Sequence, residues 1–499
     1  MPDLLGADRP LAAVLVSLVA AGLIRVFGER PALRESCTFG AGIIKLALVV
    51  SMLPVVLDGG VVESAPLSLL PGVTLHLRVD PLGLLFALVA STLWLLTSVY
   101  SVGYMRAGGY DNQTGYFASF AVCVSATIGL AFAANLLTFF VFYEMLTLAT
   151  YPLVVHNRTP EARAAGRKYL VYTLTAGQAL LLAIVWTQSL APGAEFRPGG
   201  LLPPGIPDWT VIGLFVLFIA GVGVKAGIMP LHAWLPAAMV APTPVSALLH
   251  AVAVVKAGAF GCLRIVGYVF GVDLLHEVGV DTVLAVLAGT TILFASFRAL
   301  GETHLKRRLA YSTISQLSYI VLGAALGSVA ALAGAIFHIA AHGFMKITLF
   351  FCAGAIHTAS HRDDVTQLGG VGRQMPATMT AFAVAAAGLA GTPLLAGFVS
   401  KWNLGIGALA AGHGVYIVLL AISSLLNLAY FFPIVYDAFF SPAHGEVAPE
   451  RFTLTAPLVV TALAALVLGV VPDAGVSFSR LAWSAATSVV AGSVPGGLP

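Results

Sequence analysis

The sequence predicts an all-α polytopic membrane protein of about fourteen transmembrane helices. Three observations carry this. Hydrophobic residues fill 59% of the 499 positions and charged residues only 9%, against about 25% charge in soluble domains. Mean hydropathy is +0.95. The apolar runs are helix-length and rich in Ala, Leu and Val, without the ten-residue alternation of a membrane barrel. In a hydrocarbon core about 30 Å thick every backbone polar group must be paired internally, so runs of roughly 20 apolar residues become helices.

Punctuation by Gly, Pro and charge places the spans at 10–27, 38–57, 79–104, 115–133, 135–155, 165–190, 209–229, 241–270, 280–300, 308–328, 330–357, 376–411, 414–440 and 453–471. The first run lacks a basic flank and a small-residue cleavage site, so it reads as a retained span. If the loops after odd-numbered spans are cytoplasmic, they hold fifteen of the 25 Lys and Arg residues, including Arg158, Arg163, Arg167, Lys168, Lys306, Arg307 and Arg308. The opposite side holds Arg9, Arg78, Arg197 and Arg480. Positive loops stay on the cytoplasmic side, so the reading is a multi-pass protein of the inner (cytoplasmic) membrane with both termini extracytoplasmic.

The longest polar excursions, near 191–208 and 441–452, are too short for a soluble domain. A net charge of +3 without a long basic block argues against nucleic acid as a partner. Cys37, Cys123, Cys262 and Cys352 stand singly in apolar runs, which suits packing and gives no disulfide or cluster framework.

Five charges interrupt this apolar chain: Glu144, Lys225, Lys256, Lys346 and Lys401. A charge at the bilayer centre costs about 3 kcal/mol on insertion scales, so each must face a protein interior or a hydrated path. That points to transport, of protons or cations in particular. Two spans look broken, because Lys225 is followed by Gly227 and Pro230, and Lys401 is preceded by Thr392, Pro393 and Gly397. Paired interruptions at membrane depth mark inverted repeats in many transporters. Close helix packing also explains Gly and Pro in membranes, but a lysine at each break favours repeats. Spans four to eight and nine to thirteen then divide the chain into 1–114, 115–270, 271–440 and 441–499.

Glu144 lies in FVFYEMLTLATYPLV (140–154) with no charged neighbour within a turn. A carboxylate desolvated there needs a cation, and Lys225 is the natural partner, as a proton-dependent switch or as a fixed ion pair. His250 and Lys256 are six residues apart, about 600° around a straight helix, so they occupy different faces as successive stations. His338, His342 and Lys346 recur every four residues and line one face over about 12 Å. Such groups exchange protons reversibly near neutrality when buried.

Rival readings of HIAAH fail on chemistry: Ile339 stands where a HExxH metalloprotease has its glutamate, no third ligand is evident, and two histidines one turn apart do not suit opposite faces of a haem. Neither a metal nor a cofactor is expected. Tyr143, Tyr172, Thr173, Thr175, Gln178, Ser246, Ser312, Thr313, Ser315 and Gln316 either hold water between the stations or bond helix to helix.

The block HAWLPAAMVAPTPVSALLHAVAVVKAG (232–258) resembles the central signature of the antiporter-like membrane subunits of respiratory complex I, membrane-bound hydrogenases and multi-subunit Mrp-type sodium/proton antiporters. So do VDPLGLLF (79–86), FYEMLTLATYPL (142–153), LKRRLAYSTISQLSYI (305–320), HGFMKITLFFCAGAI (342–356) and GTPLLAGFVSKW (391–402). The resemblance implies fourteen helices with two inverted five-helix repeats, broken seventh and twelfth helices, and a half-channel in each repeat joined by a polar axis. It implies proton transfer through Glu144, Lys225, His250, Lys256, His338, His342, Lys346 and Lys401. Partners would be the other subunits of a hetero-oligomeric membrane antiporter, with protons and sodium as the ions moved.

The context of Lys256 and the chain length resemble most the D-type Mrp subunits. The sixth span offers only Gln178 where some relatives carry an acid, so an inner branch of the path lacks its carrier. Two other readings stay open, a proton-pumping subunit of a redox complex and a scaffold that conducts nothing.

Overall fold

The fold is described from a computed structural model, covering residues 6, 8–70, 73–443 and 445–493. Among these residues, thirteen helices are long and apolar enough to cross a membrane. They are α1 (Arg9–Val26), α2 (Pro31–Leu57), α3 (Pro81–Ala107), α4 (Gln113–Ala131), α5 (Leu136–Val154), α6 (Pro160–Leu190), α7 (Asp208–Ala226), α8 (Thr243–Phe270), α9 (Val280–Gly301), α10 (Leu305–Leu326), α11 (Val329–Ser360), α13 (Val415–Phe440) and α14 (Phe452–Val470). The twelfth crossing is made of two half-length pieces, α12a (Pro376–Ala390) and α12b (Ala396–Ala410). Fourteen crossings result, as the apolar runs require.

Local chemistry starts and stops these helices. Asp80, Asn135, Thr159 and Ser328 cap α3, α5, α6 and α11 by accepting a backbone N–H three residues on, each worth about 1 kcal/mol. Proline occupies the first turn of α2, α3 and α6, where its missing N–H costs nothing. Helix α7 stops at Gly227, whose φ of 73° ends the helix in a left-handed turn, and α12a stops the same way at Gly391, φ 92°. The first free end is closed by Trp234, whose indole Nε1 donates to the Val224 carbonyl at 2.8 Å.

Helices α8 and α11 are buried along their full hydrophobic windows and form the centre of the bundle. The expectation of a straight eighth span is wrong. Residues Leu248–Val252 form a π-helical turn and Ala253 leaves the helical region altogether, φ −119° and ψ −81°. This third break falls between His250 and Lys256, so the 600° reckoning across a regular helix does not apply. π turns recur at functional sites because they free backbone carbonyls and re-aim side chains.

Two features lie outside the all-α reading. The segment before α3 forms small antiparallel hairpins, pairing Val62–Glu63 with Arg78–Val79 and Leu67–Leu70 with Val73–Leu75. Past α14, the stretch read as a tail holds α15 (Phe478–Ser493). Its buried residues Phe478, Leu481, Ala482, Ala485, Ala486 and Val489 form one helical stripe. Phe478 meets Phe344 of α11 at 6.3 Å between ring centroids, and Val489 fills the space beside Gly267 of α8.

One buried ion pair ties this frame together. Arg264 of α8, 2% exposed, makes a two-pronged bond to Asp80, its Nη2 at 2.7 Å from Oδ1, and stacks on Phe260 and Tyr268. Removing one partner of a buried pair strands the other charge, at a cost of roughly 3 kcal/mol. Arg264→Met is therefore expected to lower the thermal stability of the purified protein markedly; an unchanged unfolding temperature would contradict this.

Candidate functional site

The predicted residues fall into two groups. The first joins α5, α6 and α7. Lys225, fully buried in the last turn of α7, does not touch Glu144: its Nζ donates to the Tyr143 backbone carbonyl at 2.6 Å and lies 3.4 Å from the centre of the Tyr143 ring. The expected contact pair is thus one residue out of register. Glu144 instead turns toward Gly177 of α6, where any side chain would collide with its carboxylate, and its Oε1 is buried without a hydrogen-bond partner. The two charges still act on each other through low dielectric.

The second group surrounds α11. His250, Lys256, His338, His342 and Lys346 are all 0% exposed. The His338 and His342 rings are 5.7 Å apart, as their spacing on one helix face requires. The stripe then diverges. His338 pairs through Nδ1 with Ser400 Oγ of α12b at 2.8 Å, whereas Lys346 donates to Ser312 Oγ of α10 at 2.8 Å. His250, in the π turn, lies with its ring 4.8 Å from that of Phe350.

Positive charge is concentrated here. The charges of Lys256, Lys401 and Lys346 all bear on His338, those of Lys256 and Lys346 on His342, and that of Lys346 on His250. Lys256 Nζ, His338 Nε2 and both ring nitrogens of His250 and His342 are buried with no partner. Buried polar atoms are almost always satisfied, which sets these nitrogens apart from the ordinary packing around them.

Lys401 closes the row at the α12 break. Its Nζ donates to the freed carbonyls of Leu389 and Ala390 at 2.8 and 3.1 Å and to Ser424 Oγ of α13 at 3.0 Å. The amine thus caps the C-terminal end of α12a, where the helix dipole is negative. It also sits 5.0 Å from the centre of the Tyr319 ring. Lysine over tyrosine occurs at both breaks, Lys225 on Tyr143 of α5 and Lys401 on Tyr319 of α10. The residue after the tyrosine differs, Glu144 in one and Ile320 in the other.

Between Lys346 and Lys401 runs a polar cluster that the sequence reading gave no role or did not single out. Gln316 Nε2 donates to Asn427 Oδ1 at 3.1 Å, Tyr319 OH donates to Ser423 Oγ at 2.6 Å, and Tyr430 OH binds Asn427. Ser423, Asn427 and Tyr430 follow the i, i+4, i+7 spacing of one α13 face, a signal present in the sequence.

The two groups are not continuous. Gly258 of α8 packs so closely on the broken end of α7 that a Cβ would collide with the backbone of Ala226. Lys225 and Lys256 therefore flank a dry backbone contact, with Lys225 turned away toward α5.

The profile of the NADH:quinone oxidoreductase/Mrp antiporter transmembrane family matches residues 133–427, which includes Glu144, Lys225, His250, Lys256, His338, His342, Lys346 and Lys401. The chain belongs to this family. It is 34% identical to NADH-quinone oxidoreductase subunit N of Desulforudis audaxviator over 79% of this chain and 82% of that one. It is 30% identical to the A/B component of a probable K(+)/H(+) antiporter of Rhizobium meliloti over 93% of this chain, though it spans only 47% of that longer relative. Among solved structures, a chain of the Mrp complex from Dietzia sp. superposes with a TM-score of 0.85 at 25% identity, covering 98% of both chains.

Proposed function

We propose that this chain is the proton-translocating subunit of a hetero-oligomeric monovalent cation/proton antiporter, with sodium as the cation exchanged. The observation that carries the reading is the row of basic groups inside the bundle, from Lys256 and His342, whose side-chain nitrogens have no partner, through His338 and Lys346, each held by a serine, to Lys401 on a helix break. Glu144 and Lys225 form the switching pair of the first half-channel, in residues 115–270, and Lys401 gates the second, in 271–440. A proton taken up by Glu144 removes the negative charge that acts on Lys225 without touching it, and Lys225, held on the Tyr143 carbonyl, then gives up its own proton more readily. Repulsion between neighbouring ammonium groups in low dielectric then passes the change along the row.

The protein would lie in the cytoplasmic membrane with the loops after odd-numbered spans inside; the extreme terminal residues fall outside the described ones. The test is transport by the whole complex in sealed vesicles. Sodium added against an imposed pH gradient is expected to collapse it, and a gradient indifferent to sodium and potassium would overturn the reading. The 34% identity to a subunit N over most of both chains favours a second reading, a proton-pumping subunit of a redox complex, in which the oxidoreduction belongs to its partners. Purification of the native complex separates the two, since the second requires redox-active subunits to co-elute.

A further inference from the structure

A further lysine is buried outside this row. Lys45, halfway along α2, is 0% exposed, and its Nζ has no hydrogen-bond partner. It lies 5.0 Å from the centre of the Trp94 ring of α3. A full charge at this depth is as costly as any in the central row, and a ring face alone offsets it by about 2 kcal/mol at most. A merely structural position would hold Leu or Met.

Its surroundings set it apart and give it a neighbour. The buried face of α2 carries Arg34, Glu35, Thr38, Ala41, Gly42 and Lys45 in sequence. At the start of the helix Glu35 is tied to Arg106 at 2.5 Å and lies 3.6 Å from Arg34, while its Oε1 is buried without a hydrogen-bond donor. Between that ionic cluster and Lys45 the face is apolar at Ala41 and Gly42, where Leu95 of α3 packs. On the facing helix, Ser91 Oγ and Trp94 Nε1, one turn apart on α3, are likewise buried and unpartnered.

Helix α3 then fixes the depth of Lys45 relative to the row. Leu93 packs at Gly343 of α11, and Tyr100 OH donates to the Phe351 carbonyl at 2.7 Å, so the two helices run in parallel. Trp94 is therefore level with the turn that carries Lys346. Lys45 stands at that level, one helix layer further out. The charged and titratable groups on its own element are Arg34 and Glu35 at the helix end. Across α3 they are His342 and Lys346. Among the described residues, no hydrogen bond or ion pair joins Nζ to any group of α1, α3 or α4.

We infer that Lys45 is a second proton-binding site, whose charge sets the ease with which the Lys346 turn takes up its own proton. The step is a reversible protonation: the Lys45 amine accepts a proton from water, is held as an ammonium near the Trp94 ring, and returns the proton to water. At a separation of two helix layers, about 16–20 Å, one charge shifts another site by roughly 0.5 pH unit or more at an effective dielectric near 20.

The inference uses the proposed transport as its readout, and the test is the pH profile of sodium-driven proton movement by the whole complex in vesicles. Lys45→Met removes the charge and is expected to move the profile toward higher pH, and Lys45→Arg fixes the charge and is expected to move it toward lower pH, the two variants standing about 0.5 unit apart with wild type between them. A structural role lowers the rate at all pH values alike and predicts no such opposed displacement. If Lys45→Met does not assemble, the Arg variant alone decides by its shift. Profiles that coincide with wild type overturn the inference. Lys225→Met run in parallel separates failures: if it stops transport while the Lys45 profiles stay put, only the Lys45 site is refuted, and if it too is harmless, the proposed transport reading falls.

Discussion

Glu144→Ala and Lys225→Met are each expected to abolish sodium-driven proton movement in vesicles while the complex still assembles. Opposite charges just beyond contact, at an effective dielectric near 20, interact by up to about 4 kcal/mol, and each 1.4 kcal/mol or so is tenfold in any rate that depends on it. Neither residue holds the helices together through this contact, because Lys225 bonds the Tyr143 carbonyl and Glu144 leaves Oε1 unpaired. Loss of the switch should therefore leave the fold in place. The measurement is dissipation of an imposed pH gradient, with subunit content checked on the same vesicles. Rapid dissipation by either variant would remove the pair from the path.

Lys346→Met should be nearly as severe, and Ser312→Ala should be mild. Lys346 feels Lys256 and bears on His338, His342 and His250, so its removal disconnects the centre of the row. Its hydrogen bond to Ser312 at 2.8 Å only positions the amine, and a bond of that kind contributes about 1–2 kcal/mol. The expected pattern is transport lost in Lys346→Met and within about tenfold of wild type in Ser312→Ala. Equal, small effects of both would mean that Lys346 is a packing residue whose charge serves nothing.

The spans, the breaks of α7 and α12 and the burial of Lys225, Lys256 and Lys346 were legible in the sequence because each has a local cause. Apolar length sets a span, Gly227 and Gly391 supply the positive φ that ends a helix, and a lone charge in an apolar run needs a protected place. The π turn at His250 was not legible: LLHAV contains neither Gly nor Pro, and the turn depends on packing against α11. Contact between Glu144 and Lys225 was read from chemical need alone, and nothing in the sequence sets side-chain direction to within one residue. The α13 cluster and the stripe of α15 had readable spacings that were simply passed over among apolar neighbours. Lys45, in GAGIIKLALVV, was as conspicuous as the other lysines but lay outside every motif that carried the resemblance.

The difference between Glu144 and Ile320 gives the molecule a polarity. Both lysines at the breaks rest on an aromatic ring, but only one has an acid next door to share its proton with. The two ends of the row thus respond unequally to the same acidity: the Glu144 end can hold a neutral pair of opposite charges, and the Lys401 end has backbone carbonyls alone to oppose its ammonium. A conduit built from two identical halves would leak equally in both senses. Under the proposed transport, one carboxylate set at a single end would make the two directions unequal.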